Sequence, residues 1–325
     1  MAEKYDVIVV GGGPAGLMAA RTAKREGLHV LLVEQKKEIP RIRRSCAQAL
    51  ATAPGYNGET VTVEGERIIF HINDFAVNYH GGWLDIKEFF HISPNGSKII
   101  VERDETPVGK IFNKEVLLQE LLSEVEQSGC EIENETMGIK AENTNGEVVA
   151  TLESRGKQRE VRSRVAIAAD GINSRIVQSL GLNKNRKFFG TPRVVSCVLE
   201  GVQSPYPNAF ILFLGKGRTN GLYPMVPEKS GDPPLFQISG GSEEAINTFM
   251  TQSTFSSWFK GVKVVQRKSA VLNFHTPILE PVVGNVLIAG DSAAFIEAFV
   301  QGALVYGFRA AKAAAKELKE GGGFT

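Results

Sequence analysis

Backbone rather than side chains builds the first recognisable site in this chain: Tyr5-Asp-Val-Ile-Val-Val-Gly-Gly-Gly-Pro-Ala-Gly16, closed by Glu34. Gly11 allows a tight turn, Gly13 lets the backbone approach a pyrophosphate with no Cβ in the way, and Gly16 permits close packing of helix on strand. Pro14 costs nothing near a helix start, and Ala15 continues that helix. A helix N-terminus presents unpaired N–H groups and partial positive charge to phosphates. Glu34, with Gln35 beside it, then offers a carboxylate to ribose hydroxyls. An acid there disfavours a 2′-phosphate, so the site suits FAD or NAD better than NADP. The spacing carries weight because the glycines follow a strand, open a helix and precede a strand-terminal acid.

Those residues need elements to hold them. Val7 to Val10 are an apolar, β-branched run of the kind buried on both faces of a parallel sheet. Ala15, Met18, Ala19 and Ala23 recur at helical spacing, Gly27 supplies a stop, and residues 29–33 make a second apolar strand, which completes a βαβ unit. Residues 40–58 read as a polar loop and a short helix carrying Cys46. Strand-like runs at 60–72 and 98–102 flank an aromatic patch of Phe75, Tyr79, His80, Trp83, Phe89, Phe90 and His91. Asn113 can cap a helix whose Val116, Leu117, Leu121 and Val125 share one face, with Gly129 as its stop. A hairpin is expected from 147–152 and 160–162, and a separate buried strand at 164–169, ended by Asp170-Gly171. Strands at 193–202, 209–214, 234–239 and 262–270, with one short helix from Ser242 to about Thr251, form a second block. An apolar strand at 285–289 runs into Gly290-Asp291, and a helix follows from about Gln301 to Lys319. The expected fold class is α/β: a discontinuous nucleotide domain (1–58, 103–185 and 276–325) with a strand-rich substrate sheet inserted (59–102 and 186–275).

Composition narrows the partners. The 325 residues carry 37 basic and 36 acidic side chains, a net charge of +1, which gives no electrostatic reason to expect nucleic acid. The start is polar and the apolar run behind it breaks at Gly11, so neither a signal peptide nor a transmembrane segment is expected, and the protein reads as cytoplasmic. Cys46, Cys130 and Cys197 are isolated, which argues against a disulfide framework, a zinc site or a self-contained iron–sulfur cluster. His29, His71, His80, His91 and His275 never fall at metal-ligand spacing on one helix, so no metal is expected.

Three segments in order, GGGPAG at 11–16, AADGINSRI at 168–176 and LIAGDSAA at 287–294, resemble the FAD-dependent oxidoreductases that include p-hydroxybenzoate hydroxylase and the geranylgeranyl reductases. Over most of residues 1–320 the chain is more similar to the geranylgeranyl reductases. The resemblance implies a Rossmann-type FAD-binding domain and one resident FAD, with its pyrophosphate at the first segment. It places Asp170 and Gly171 near the cofactor, and Gly290 and Asp291 with the carboxylate on the ribityl chain. Lys110 stands where the family usually carries an arginine near FAD, and Gly302 closes the segment expected to face the isoalloxazine. Cys46, in RRSCAQA, stands where the reductases carry a Cys-Gly pair near the flavin ring, with Ala47 in place of the glycine. Residues 221–227 occupy the place of a substrate-cavity motif, but Pro224 replaces its tryptophan, and 295–302 replace a glycine-rich turn with proline.

By this resemblance the chain is expected to be an FAD-dependent oxidoreductase that reduces or dehydrogenates a carbon–carbon bond of an apolar, small-molecule or lipid-like substrate. The flavin carries the redox chemistry. Cys46 is the candidate to supply a proton, although Arg43 and Arg44 pull it toward thiolate. No second GxGxxG follows a strand, so NAD(P)H would visit as a transient electron donor, or an electron-transfer protein would serve instead. Peripheral membrane contact is compatible with such a substrate. Two alternatives stand beside this reading. One is an oxygen-dependent FAD monooxygenase of an aromatic substrate, for which Tyr223, Tyr206 and Arg193 are candidates by residue type alone; the other is a non-catalytic FAD-binding protein.

Overall fold

Five strands and three helices position the site. In chain order they are β1 (Lys4–Val10), α1 (Pro14–Arg25), β2 (Val30–Val33), α2 (Lys114–Gln127), β3 (Glu131–Glu133), β4 (Lys157–Ala168), β5 (Val286–Ile288) and α3 (Phe299–Glu320). The structure is a computed structural model that describes residues 4–52, 54–55, 58–102, 106–228, 235–294 and 299–324. The strands pair in parallel in the order β3-β2-β1-β4-β5. Register decides what happens at their ends: Val10 lies opposite both Val33 and Ala168, and Ala168 lies opposite Ile288. Four strands therefore finish level, and the residues that follow them share one edge of the sheet.

Both faces of this sheet are covered, as the unbroken apolar runs predict. Val7, Val9, Val30 and Leu32 point toward the helical layer with Leu17, Leu121, Leu304 and Ala311, while Ile8, Val10, Leu31 and Val33 pack with Val148, Ala150 and Ile176. Asn113 caps α2 as expected, its Oδ1 accepting from the N–H groups of Glu115 (3.0 Å) and Val116 (3.4 Å). The hairpin and the buried strand expected as separate pieces at 160–162 and 164–169 are one strand, β4. Its first half pairs antiparallel with Glu147–Ser154, and its second half pairs parallel with β1. Arg164 does not break it because the side chain reaches Asp6 at the edge (3.3 Å).

The inserted block is a seven-stranded sheet in the order Lys263–Val271, Arg193–Glu200, Leu235–Gly240, Leu222–Glu228, Ala209–Leu214, Glu88–Ile92, Lys98–Glu102. The helix Glu243–Gln252, capped by Ser242, covers one face through Ile246, Phe249 and Met250. The other face meets the nucleotide domain through Phe210 and Val226 against Ile86 and Ile111. Leu222–Glu228 escapes a sequence reading because Pro224 and Pro227 are unusual inside a sheet.

Two expectations change. Residues 59–102 divide: Glu88–Ile92 and Lys98–Glu102 join the inserted sheet, but the three-stranded sheet of Val61–Glu64, Arg67–Phe70 and Phe75–Asn78 packs into the helical layer, where Ile68, Phe70 and Val77 are buried beside α1 and α3. No helix carries Cys46: among its described residues, segment 40–58 has a helical position only at Gly58, in a 3-10 turn. Gln48 begins a strand ladder instead: its carbonyl accepts from the Phe112 N–H (3.0 Å), and Ala49–Ala51 pair with Gly109–Phe112. Residues 53, 56 and 57 of that segment lie outside the described residues, as do 103–105, 234 and 295–298 from the other expected stretches.

Helices α1 and α3 approach closely enough that a Cβ on Gly307 would stand 2.1 Å from the Ala15 carbonyl oxygen. Gly307→Ala is therefore expected to destabilise the protein by about 1–3 kcal/mol, read as a lowered Tm in thermal unfolding; an unchanged Tm would mean that the two helices are not in this contact.

Candidate functional site

Level strand ends bring Gly11, Glu34, Asp170 and Gly290 to one edge. The turn after β1 is built on contacts only glycine allows: Gly11 has φ +109°, its added Cβ would stand 2.3 Å from the Ala169 carbonyl oxygen, and one on Gly16 would stand 1.7 Å from the Gly11 carbonyl oxygen. Gly13 is different. It has φ −80°, which any residue can adopt, and a Cβ there would meet no atom within 4 Å. That open space, directly before the uncapped N-terminus of α1, is where a phosphate group fits.

Glu34 is buried, and its two oxygens accept from the N–H groups of Gly12 (2.6 Å) and Lys36 (2.9 Å). Each oxygen keeps a second lone pair, so the carboxylate is fixed in place and still able to accept from ribose hydroxyls. Gln35 points into solvent. Pro14 and Ala15 open α1; Ala15 also packs under Gly290, whose added Cβ would stand 2.8 Å from the Ala15 Cβ.

Asp170 and the Gly290-Asp291 turn are joined through Ser292. The Ser292 hydroxyl donates to Asp170 Oδ1 (3.2 Å) and accepts from the Gly171 N–H (2.9 Å). Asp170 also accepts from the Ser174 hydroxyl (2.6 Å) and the Arg175 N–H (2.9 Å), so its carboxylate organises the start of the short helix Arg175–Ser179. Burial raises its pKa despite these bonds. Asp291 contrasts with it. Its half-buried carboxylate takes no hydrogen bond among the described residues, and burial raises its pKa against the opposing pull of Lys114 and Arg44.

Lys114, the first residue of α2, is the cation that sequence reasoning missed. Its Nζ lies 3.8 Å from Cys46 Sγ, its field reaches Asp291 and Lys36, and its backbone N–H donates to Gln48 Oε1 (3.0 Å). Only its place after the Asn113 cap could have drawn attention to it. Lys36 is held near Glu34, where burial lowers its pKa against the attraction of that carboxylate. The Arg44 guanidinium lies over Gly171, 3.3 Å from where a Cβ would stand. The loop carrying Cys46 is tied to the inserted sheet by Ser45, which shares a hydrogen bond with buried Ser196, itself 2.6 Å from the Ser239 hydroxyl. Lys110 does not join this group and pairs with Asp85 across the neighbouring strand. Gly302 is buried in the first turn of α3, next to Gln301.

The remaining candidates sit elsewhere. Cys197 is buried in the inserted sheet's core, and burial pushes the Cys130 thiol up to about 11. His80 is exposed between Glu66 and Glu120, each at 3.1 Å, rather than lining a cavity. Tyr223 stacks on Phe249 (4.3 Å between centroids), and Tyr206 packs on Phe90 (4.7 Å), both on the helix-covered side of the sheet, while Arg193 is exposed at a strand end. None of those three reaches the edge where Glu34 and Asp291 lie.

A parallel sheet with a glycine turn, a fixed strand-terminal acid and open space at a helix N-terminus defines a dinucleotide-binding protein of Rossmann type. The pattern of the FAD binding domain family matches residues 80–245, more than half of the chain, and that of the FAD dependent oxidoreductases matches residues 6–39. The chain belongs to the FAD binding domain family. It is 31% identical over 192 residues to digeranylgeranylglycerophospholipid reductase 2 of Methanococcoides burtonii, which covers 58% of this chain and 43% of that protein. It is 28% identical over 300 residues to the digeranylgeranylglycerophospholipid reductase of Methanocella arvoryzae, covering 89% of this chain and 67% of that one. The chain thus spans less than half of the first relative and about two thirds of the second. A crystal structure of a geranylgeranyl bacteriochlorophyll reductase-like protein from Thermoplasma acidophilum superposes with a TM-score of 0.75 at 19% identity, over 98% of this chain and 79% of the other, a likeness of fold.

Gly13 and Gly16 separate binding from folding. Gly13→Ala is expected to leave stability within about 0.5 kcal/mol and to weaken FAD binding at least about tenfold, whereas Gly16→Ala should prevent stable folding. Thermal unfolding and flavin titration read both; a Gly13→Ala protein that binds FAD normally would remove the phosphate from that turn.

Proposed function

We propose that the protein holds one FAD along the carboxyl edge of the sheet and reduces a carbon–carbon double bond of an apolar, prenyl-lipid-like substrate. One observation carries this reading: Glu34, Asp291 and the Cys46 loop converge on a single edge, linked by Lys36 and Lys114. Relatives named as digeranylgeranylglycerophospholipid reductases support the substrate class.

When bound, the flavin supplies hydride transfer. The chain's own residues do the rest. Backbone N–H groups at the start of α1 hold the pyrophosphate, Glu34 holds a ribose, and Asp291 accepts from a ribityl hydroxyl. Asp170 takes an indirect part in this arrangement through Ser292. Cys46 delivers a proton to the carbon that does not receive hydride, and the Lys114 ammonium beside it stabilises the thiolate left behind. The reducing equivalents would come from NAD(P)H as a transient donor or from an electron-transfer protein. The hydroxylase reading has less support, since Tyr223 and Tyr206 face the helix-covered core.

Anaerobic incubation of the dithionite-reduced holoprotein with geranylgeranyl lipids, followed by mass spectrometry, should show gains of two hydrogens per reduced bond. Cys46→Ala should lower turnover about a hundredfold while leaving FAD bound. Oxygenated product formed only in air would overturn the reductase reading, and full turnover without Cys46 would remove its role.

Asp291 makes FAD binding pH-dependent. A ribityl hydroxyl donates to the charged carboxylate, so affinity is complete above the raised Asp291 pKa and is lost as pH falls through it, beginning above the usual carboxylate range. Asp291→Asn should bind FAD about tenfold more weakly and with no such loss on acidification; a variant that keeps the wild-type profile in flavin titrations would exclude this contact.

A further inference from the structure

Among the buried side chains left without partners in the described residues, Gln301 alone has both amide ends unpaired. It is 1% exposed. Leaving a buried donor and a buried acceptor unmet is costly, so such a pair in a native structure calls for an explanation, and a partner supplied from outside the chain is one. The location fits such a ligand. Gln301 lies in the first turn of α3, which packs against both the Gly290–Ser292 turn and the strand Ala49–Ala51 that follows the Cys46 loop. Two residues further along, Ala303 approaches Gly290 from the same helix, its Cβ 3.9 Å from where a Gly290 Cβ would stand.

A glutamine amide is a donor and an acceptor side by side. Its complement is a ring edge with an N–H next to a carbonyl, as on the pyrimidine portion of an isoalloxazine. The geometry points to Gln301 as the residue that reads this edge: Oε1 accepts from the ring N3–H, and Nε2 donates to the adjacent ring carbonyl. Gln301 is thus a positioning residue that fixes the flavin ring against the Cys46 loop, independently of the turn that holds the pyrophosphate. This inference rests on the reading of the site as an FAD site.

Gln301→Leu keeps the volume and removes both polar ends. The cofactor-free variant should melt at a higher temperature than wild type, because two unmet buried groups are gone. Its affinity for FAD should fall about tenfold, while its affinity for ADP, which lacks the ring, stays unchanged. Wild type should bind N3-methyl-FAD about tenfold more weakly than FAD, and the variant should not distinguish them. Calorimetric titration of the stripped protein with the three ligands reads all of this. Undiminished FAD affinity in Gln301→Leu, an equal loss for ADP, or discrimination against N3-methyl-FAD that survives in the variant would overturn the proposal. A wild-type protein that binds ADP but not FAD would overturn the FAD reading and this inference together.

Discussion

The register of the parallel sheet is the constraint on which everything else depends. Val10 lies opposite Val33 and Ala168, and Ala168 opposite Ile288, so four chain segments leave the sheet at one level. A slip of one residue in any pair would turn its apolar side chains to the wrong face, and both faces here are buried. The hydrophobic effect therefore fixes, without any polar interaction, where Gly11, Glu34, Asp170 and Gly290 must emerge.

What those segments then do is set by backbone proximity. Ala169 lies against Gly11, Gly11 against Gly16, Gly290 against Ala15, and Ala15 against Gly307, all at distances that exclude a Cβ. This run of contacts binds the glycine turn, the Asp-Gly turn, the Gly-Asp turn and α3 into one rigid unit. Gly13 stands outside it with space in front. Rigidity at the contacts and open space at Gly13 are complementary: the first holds the α1 N-terminus still, and the second gives it something to bind.

Much of this was legible in the sequence. The βαβ unit, the cap at Asn113, the short helix beginning at Ser242 and the strand Ala209–Leu214 follow from local rules, because each depends on residues close in the chain. The level strand ends could be inferred from three spaced motifs. The role of Ser292 as the bridge between Asp170 and Gly171 could not, since 122 residues separate Ser292 from Asp170 and nothing local marks the meeting. Lys114 was invisible for a related reason: its chemistry comes from its contact with the Cys46 thiol and from its charge near Asp291, and only the fold brings those groups to it. Leu222–Glu228 hid behind its prolines, and the division of residues 59–102 hid because alternating apolar residues suit either of two sheets. Gln301 is the plainest case, because an amide looks ordinary in a sequence until its burial leaves it with no partner.

If the carboxyl edge of the sheet holds one flavin dinucleotide per chain, absorbance of the purified, FAD-saturated and desalted protein will count it against the protein. One flavin per chain, released on denaturation as FAD rather than FMN, is the expected result. A colourless protein that cannot be reconstituted with FAD would contradict it.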